Sequence, residues 1–458
     1  MKILFSDMIR SQVEEYGHSV NMSGACLENT IVILDDDPTG CQTVHDVPVI
    51  FNWDSHILEA LLRVKTHLFF ILTNTRSMSA EDAGKTVRSV IENLLAAAKK
   101  TERKFTLISR SDSTLRGHYP VELKEIETAL GVQGNMHCLI PAFFQGGRYT
   151  CNDTHYVREG DILIPAAETP FAKDKVFGFK HSDLKKYVEE KSGGSILSEE
   201  VLPISLEDLR KGGPEHVTRR LMNSDNPVCI VNALCQSDLD VFAAGAWEAI
   251  LSGKKILFRS AASFINSFGC IPLKEPLGPS VLSPQTGLGG LVVVGSYVEK
   301  SSLQLMQLIE HGSAIPIELN VKEFLEDGSY QVVNALASRI TRLIESGKHV
   351  VIYTSRELVY SPDRKKNLEI GKLVSEALVK VVAGIATMPS FVIAKGGITS
   401  HDIAAKSLGI TKATVLGQAL PGVPVLVPEN RPDMKYIIFP GNVGAGDDLL
   451  KLFKKMTE

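Results

Sequence analysis

The chain has 458 residues, more than one compact domain usually holds, with 44% hydrophobic, 22% charged and 7% aromatic residues, ordinary globular values that exclude long disorder, collagen and coiled coil. Its 49 Lys plus Arg against 53 Asp plus Glu give a net charge of −4, so the basic excess that nucleic acid or an anionic membrane would need is missing. The cysteines (Cys26, Cys41, Cys138, Cys151, Cys229, Cys235 and Cys270) are scattered and form no CxxC pair, which speaks against a disulfide framework or a structural zinc site.

Residues 1–30 contain no signal-peptide core, and no apolar run reaches membrane-span length, so the expected setting is the cytoplasm. From there short β-branched or aromatic runs alternate with longer amphipathic stretches, the pattern of an α/β protein with parallel sheets. Strands are predicted at 31–34, 68–72, 105–108, 138–140, 228–231 and 256–258, with helices at 80–99 and 239–251. Residues 145–191 read as an irregular decoration of this half. Between 265 and 290 the chain turns rich in Pro, Gly and Ser and loses any apolar face, and we read it as a linker. The alternation resumes with strands at 291–294, 350–353, 391–394 and 436–439. The predicted division is a first domain over 1–275 and a second over 276–458.

In a parallel sheet the loops after strand C-termini form the ligand crevice, and three polar clusters of the first half stand there. Asp35-Asp36-Asp37-Pro38-Thr39-Gly40 follows IVIL; three adjacent carboxylates repel one another unless a cation, hydroxyl or amide meets them. Thr73-Asn74-Thr75-Arg76-Ser77 offers a guanidinium suited to a carboxylate or phosphate. The run from Ser109 to His118 combines Arg110, Asp112, Ser113, Thr114 and Arg116, the mixture that a polyhydroxylated anion requires. A bland reading makes these loops turns and helix caps.

The second half carries three glycine loops between strands and helices: Gly295-Ser296, then Gly396-Gly397-Ile398-Thr399 after Lys395, then Gly441-Asn442-Val443-Gly444. Glycines let backbone N–H groups approach phosphate, and helix N-termini favour the anion, so a nucleotide-phosphate cradle is the favoured reading. Gly84-Lys85-Thr86 is no P-loop, because Ser79 stands where that motif needs glycine. GNVGAG is not a dinucleotide fingerprint. The histidines show no metal-ligand spacing, so His118 and His401 read as polar or helix-end residues.

Together these clusters resemble the four-carbon acid-sugar kinase family over nearly the whole chain. DDPTG at 36–40, TNTRS at 73–77 and DSTLRG at 112–117 look like its sugar-side motifs; GS at 295–296, GGITS at 396–400, GQALPGVP at 417–424 and PGNVG at 440–444 are similar to its nucleotide-side ones. Pro38 stands where an aliphatic residue is usual. The resemblance implies two α/β domains, each with a mostly parallel sheet flanked by helices, and an active site in the inter-domain cleft. It further implies transfer of the γ-phosphoryl of ATP to the terminal hydroxyl of threonate, erythronate, 3-oxo-tetronate or a close relative. Substrate roles then fall to Asp36, Arg76, Asp112 and Ser113, and ATP roles to Ser296, Gly396 to Thr399, and Gly441 or its neighbours Asn442 and Gly444.

Phosphoryl transfer asks for positioning and charge stabilisation, and an alcohol nucleophile needs at most one carboxylate to take its proton. Asp36 or Asp37 is the candidate base, with Asp447 behind them. Arg76, assisted by Arg116 or Arg110, is the expected carboxylate ligand. Mg²⁺ is expected with ATP, its ligands unassigned. A homodimer is left open. A non-catalytic acid-sugar sensor is the rival function, and a sugar-acid dehydrogenase, lacking the dinucleotide fingerprint, is a weaker one.

Overall fold

Runs such as IVIL and LFFIL become strands buried along their whole length, as a parallel sheet covered by helices on both faces demands. The structure, a computed structural model, describes residues 3–12, 29–284, 286–295, 299–327, 330–356, 364–441 and 443–458. Its strands, in chain order, are β1 (Ile3–Leu4), β2 (Thr30–Asp35), β3 (Val47–Ile50), β4 (Leu68–Leu72), β5 (Phe105–Arg110), β6 (Met136–Ile140), β7 (Arg148–Cys151), β8 (Thr154–Glu159), β9 (Ile162–Pro165), β10 (Val201–Ile204), β11 (Val228–Val231), β12 (Ile256–Ser260), β13 (Leu291–Val294), β14 (Ile315–Leu319), β15 (Val350–Thr354), β16 (Phe391–Lys395), β17 (Lys412–Leu420), β18 (Val423–Pro428) and β19 (Lys435–Phe439). The chain divides into two units, Met1–Val44 with Asn52–Leu273, and His45–Phe51 with Lys274–Glu458.

The first unit is built on the parallel order β10-β11-β6-β12-β5-β2-β4. The helix Ala80–Thr101 covers it with Ala83, Val87, Val90, Ile91 and Leu94, one apolar stripe at three- and four-residue spacing. Ser79 caps this helix by accepting the Asp82 N–H, and Gly84-Lys85-Thr86 lies inside it.

The stretch predicted to be irregular instead forms an antiparallel sheet, β1-β9-β8-β7. Its β7–β8 turn holds Asn152 and Asp153 at φ 48° and 62°, the left-handed pair that a two-residue hairpin prefers. Tyr149, Cys151, Tyr156 and Leu163 pack under it with Leu206 and Leu234.

In the second unit β19, β16, β13, β15 and β14 run parallel. β18 joins β19 antiparallel, β17 joins β18, and β3 pairs antiparallel with β17, Ile50 opposite Lys412 and Val47 opposite Val415. The unit boundary at Leu273/Lys274 falls within the predicted linker. The segment His45–Phe51, placed by the sequence reading in the first domain, belongs instead to the second unit. It does so because β17 offers it an edge to pair with. No helix among the described residues is long and apolar enough to cross a membrane.

Candidate functional site

Register alone brings the three sugar-side clusters together. Asp35 ends β2 opposite Leu72 of β4 and Arg110 of β5, and Arg110 pairs in turn with Ser260 of β12. The chain segments that leave these strands therefore start side by side.

Asp35 lies at the bottom. It is fully buried and accepts a hydrogen bond from Arg110 Nη1 at 3.1 Å. Burial pushes its carboxyl up to about 7, with Arg110 opposing. Gly40 is required above it, since a Cβ there would overlap the Asp35 carboxylate. Arg110, named from the sequence as a substrate ligand, is 4% exposed and committed to Asp35; its place is beneath the cluster.

Asp36 stands one step higher. Its Oδ2 accepts the Ser111 hydroxyl at 2.5 Å and lies 3.8 Å from Arg259 Nη2, whereas its Oδ1 is buried with no hydrogen-bond partner. Asp37 turns the other way. Its Oδ1 accepts the Thr39 N–H at 2.8 Å and its Oδ2 pairs with Arg76 Nη2. Arg76 also faces Asp112 Oδ1 at 3.3 Å and Asp36 Oδ1 at 3.9 Å, so one guanidinium binds three aspartates from two loops.

The Asp112–Gly117 loop is tightly wound. Leu115 has φ 67° and Gly117 φ 138°, and a Cβ on Gly117 would stand 2.5 Å from Ser111 Oγ and 2.7 Å from Arg259 Nη2, which explains the glycine. Arg116 Nε donates to Asp112 Oδ2 at 2.8 Å and to Thr114 Oγ1 at 3.1 Å. Burial by itself would raise the Asp112 carboxyl, but Arg116 and then Arg76 outweigh it and hold it well below the usual range. Ser113 is buried, its carbonyl accepting from His155 Nε2 at 2.8 Å.

Two residues that the sequence reading missed complete the network. Arg259 of β12 donates to Glu122 at 2.5 Å, Ser109 at 2.7 Å and Ser111 at 2.7 Å, while Glu122 also accepts from Thr75 Oγ1 at 2.6 Å. Arg259 sits one residue from a strand end, where the rule applied to the other clusters would have flagged it. Glu122 lies in the helix Val121–Leu130 and carries no such signal.

In the second unit, Lys395 closes β16 and is fully buried. Its Nζ donates to the carbonyls of Pro440 at 2.7 Å and Gly441 at 3.4 Å and lies 4.1 Å from the Phe439 ring centre. Burial draws this ammonium down to about 7, Lys300 adding to the effect and Asp448 opposing it. Gly396 then turns the chain at φ 110°, and Gly397 and Thr399 lie in the short helix Gly397–Asp402 with Ile398 exposed. A Cβ at Gly295 would stand 2.6 Å from Thr399 Oγ1. Gln304 supports the last loop, donating to Val443 O at 3.3 Å and Ala445 O at 2.6 Å, and Gly444 has φ 85°. Glycines at these turns, with Gly396 and Gly444 at positive φ, let backbone N–H groups face a phosphate. Ser296 and Asn442 lie outside the described residues. Asp447, the reserve candidate for the base, is half-exposed and paired with Lys451 at 2.8 Å. Among the described residues no group of three or more His, Cys, Asp or Glu is placed to hold a metal ion.

Residues 31–268 match a family model described as a sugar-binding N-terminal domain, and residues 291–449 one described as a nucleotide-binding C-terminal domain. A putative tRNA synthase from Salmonella typhimurium LT2 has a similar fold, with TM-score 0.67 and 16% identity over 93% of this chain and 98% of its own. A Haemophilus influenzae protein of family DUF1537 gives TM-score 0.62 and 18% identity over 93% and 100%. A Bordetella bronchiseptica DUF1537 protein, crystallised with citrate as a domain-swapped dimer, matches with TM-score 0.40 and 19% identity over 93% and 99%. No curated protein sequence matches the chain significantly.

Proposed function

Since the chain belongs to the four-carbon acid-sugar kinase family, with a sugar-binding first domain and a nucleotide-binding second one, we propose that it transfers the γ-phosphoryl of ATP to the terminal (C4) hydroxyl of a four-carbon acid sugar such as 3-oxo-tetronate, threonate or erythronate. The observation that carries this reading is the Asp36 carboxylate, buried beside arginines with one oxygen hydrogen-bonded by Ser111 and the other, 3.9 Å from Arg76 Nη1, accepting no hydrogen bond.

In this reading Asp36 is the general base and Oδ1 the atom that takes the proton of the attacking hydroxyl. Ser111 and Arg259 fix the carboxylate's orientation from the opposite side. Asp37, engaged with Arg76 and the Thr39 amide, supports the loop. Arg76, Asp112, Ser113, Thr114 and Arg116 surround the sugar acid, and Arg110 supports them from below. In the second domain the amides around Gly396, Gly397, Ile398 and Thr399, and around Gly441 and Gly444, bind the nucleotide phosphates; the same role is proposed for Ser296 and Asn442. Mg²⁺ would be held by the phosphates with one or two carboxylates and water, which needs no all-protein cage.

The test is a thermal-shift screen of the whole chain with ATP–Mg, NAD and a panel of four- and five-carbon sugar acids, followed by an assay for ADP release, since a bound ligand stabilises by mass action. ATP–Mg and one tetronate should each raise Tm, and together they should yield ADP. Stabilisation by a tetronate alone without turnover would favour the sensor, and stabilisation by NAD the dehydrogenase.

A further inference from the structure

Arg148 opens β7 and differs from every other arginine near the sugar-side cluster. Arg76 and Arg116 face aspartates, Arg110 meets Asp35, and Arg259 meets Glu122. Among the described residues Arg148 has neither an ion pair nor a side-chain hydrogen bond, and its Nε is buried without a partner. It nevertheless belongs to the cluster. Its guanidinium lies 5.9 Å from the centre of the Phe171 ring, and the Arg116 guanidinium lies 5.0 Å from the same ring.

Two cations over one ring repel, and a largely desolvated guanidinium is costly without a counter-charge. Burial lowers the proton affinity of Arg148; Asp112 works against this and Arg116 adds to it. The turn before the strand holds the side chain in place: Gly147 has φ 76°, and a Cβ on Gly146 would stand 3.1 Å from Arg148 Nη1. Among the described residues the aspartates of the cluster are shared among Arg76, Arg110 and Arg116, and neither Asp112 nor Glu159, the carboxylates that act on Arg148 from a distance, pairs with it, which leaves its guanidinium open to an anionic ligand.

We propose that Arg148 is the principal ligand of the substrate carboxylate, joined there by Arg116. The inference rests on the sugar-acid reading above and names the residue that makes the site select an acid over a neutral polyol. A guanidinium meets a carboxylate through two parallel N–H···O bonds, and here its donors are uncommitted.

The experiment compares kcat/KM for a tetronate and for threitol, its uncharged counterpart, in the wild type, Arg148→Gln and Arg148→Lys, with KM for ATP measured alongside. Arg148→Gln should lower tetronate kcat/KM by about tenfold or more, leave threitol and ATP within about twofold, and so collapse the acid-to-polyol ratio. Arg148→Lys should recover part of the loss, because an ammonium restores charge but not the bidentate geometry. Equal loss for tetronate and threitol would mark Arg148 as structural and overturn the proposal, as would an unchanged tetronate kcat/KM. A wild type that uses threitol as well as the tetronate would instead remove the sugar-acid reading itself.

Discussion

The Ser111 hydroxyl donates to Oδ2 of Asp36 at 2.5 Å, while Oδ1 of the same carboxylate is buried without a hydrogen bond, 3.9 Å from Arg76 Nη1. One side chain is thereby oriented and left with a vacant acceptor. Asp36→Asn keeps the shape and removes the proton acceptor, so kcat should fall by roughly 10²–10⁴-fold with little change in sugar-acid KM. Asp37→Asn should act less on kcat and more on the Arg76 loop, since Asp37 is already engaged by Arg76 and the Thr39 amide. Steady-state kinetics of the two variants decide the matter. A larger kcat loss in Asp37→Asn would transfer the role of base to that residue.

Arg259 and Glu122 form the buried pair beneath this carboxylate, both with side chains 4% exposed. Removing one partner strands the other charge, so Arg259→Met should destabilise the first unit by about 3–5 kcal/mol. The double variant Arg259→Met/Glu122→Met should recover most of that stability. It should not recover kcat, because Asp36 would still lack the Arg259 charge 3.8 Å away. Denaturant melts and rates on the three proteins separate the two effects; if the double variant is no more stable than the single, the pair is not acting as a charge pair.

Much of this site could be read from the sequence because it is local. Asp36, Arg76 and Asp112 each follow an apolar strand by a few residues, and parallel register makes such tails converge without further information. Long-range partners leave no local trace. Glu122 is one acidic residue on an amphipathic helix, and its pairing with Arg259 spans 137 positions. The exchange of β3 into the second unit is hidden for the same reason: VPVI is short, and its partner strand is Lys412–Leu420. The antiparallel strands β7 to β9 escaped because polar residues such as His155 and Arg158 interrupt their apolar pattern.

The fully buried Asp35 carries a pH signature. Its ordinary value of 3.8 is pushed up to about 7 in the folded protein, burial outweighing Arg110. Between those values the unfolded chain has released the proton and the folded chain retains it, so the contribution of Asp35 to stability falls as pH rises from about 4 to about 7. Asp35→Asn removes that dependence. The stability of Asp35→Asn relative to wild type should therefore improve steadily over this range in urea melts. A difference that is flat, or that moves the other way, would show that Arg110 keeps Asp35 ionised throughout.

Lys395 makes the opposite prediction in the second unit. Its ammonium ties the end of β16 to the Pro440–Gly441 turn through two carbonyls, while the Gly396 N–H donates to Phe439 O at 2.8 Å. The two glycine loops are thus cross-linked at their roots. Lys395→Met keeps the length of the side chain but takes the donor from Pro440 O, while Gly441 O keeps the Ser301 hydroxyl at 3.3 Å, and a buried unsatisfied group costs about 1–3 kcal/mol. Nucleotide affinity should fall by about tenfold, and tetronate affinity much less, because the sugar-side cluster lies in the other unit. The pH dependence is a separate check. The ordinary value of 10.5 is drawn down to about 7 by burial, so between those values the unfolded chain binds a proton that the folded chain has released. Stability from this group therefore rises with pH in that window, and the margin of wild type over Lys395→Met should widen between pH ~7 and ~10. Calorimetry with ATP–Mg measures the first effect and guanidinium melts at the two pH values the second; a margin that shrinks as pH rises would mean that the ammonium stays charged at its place under the loops.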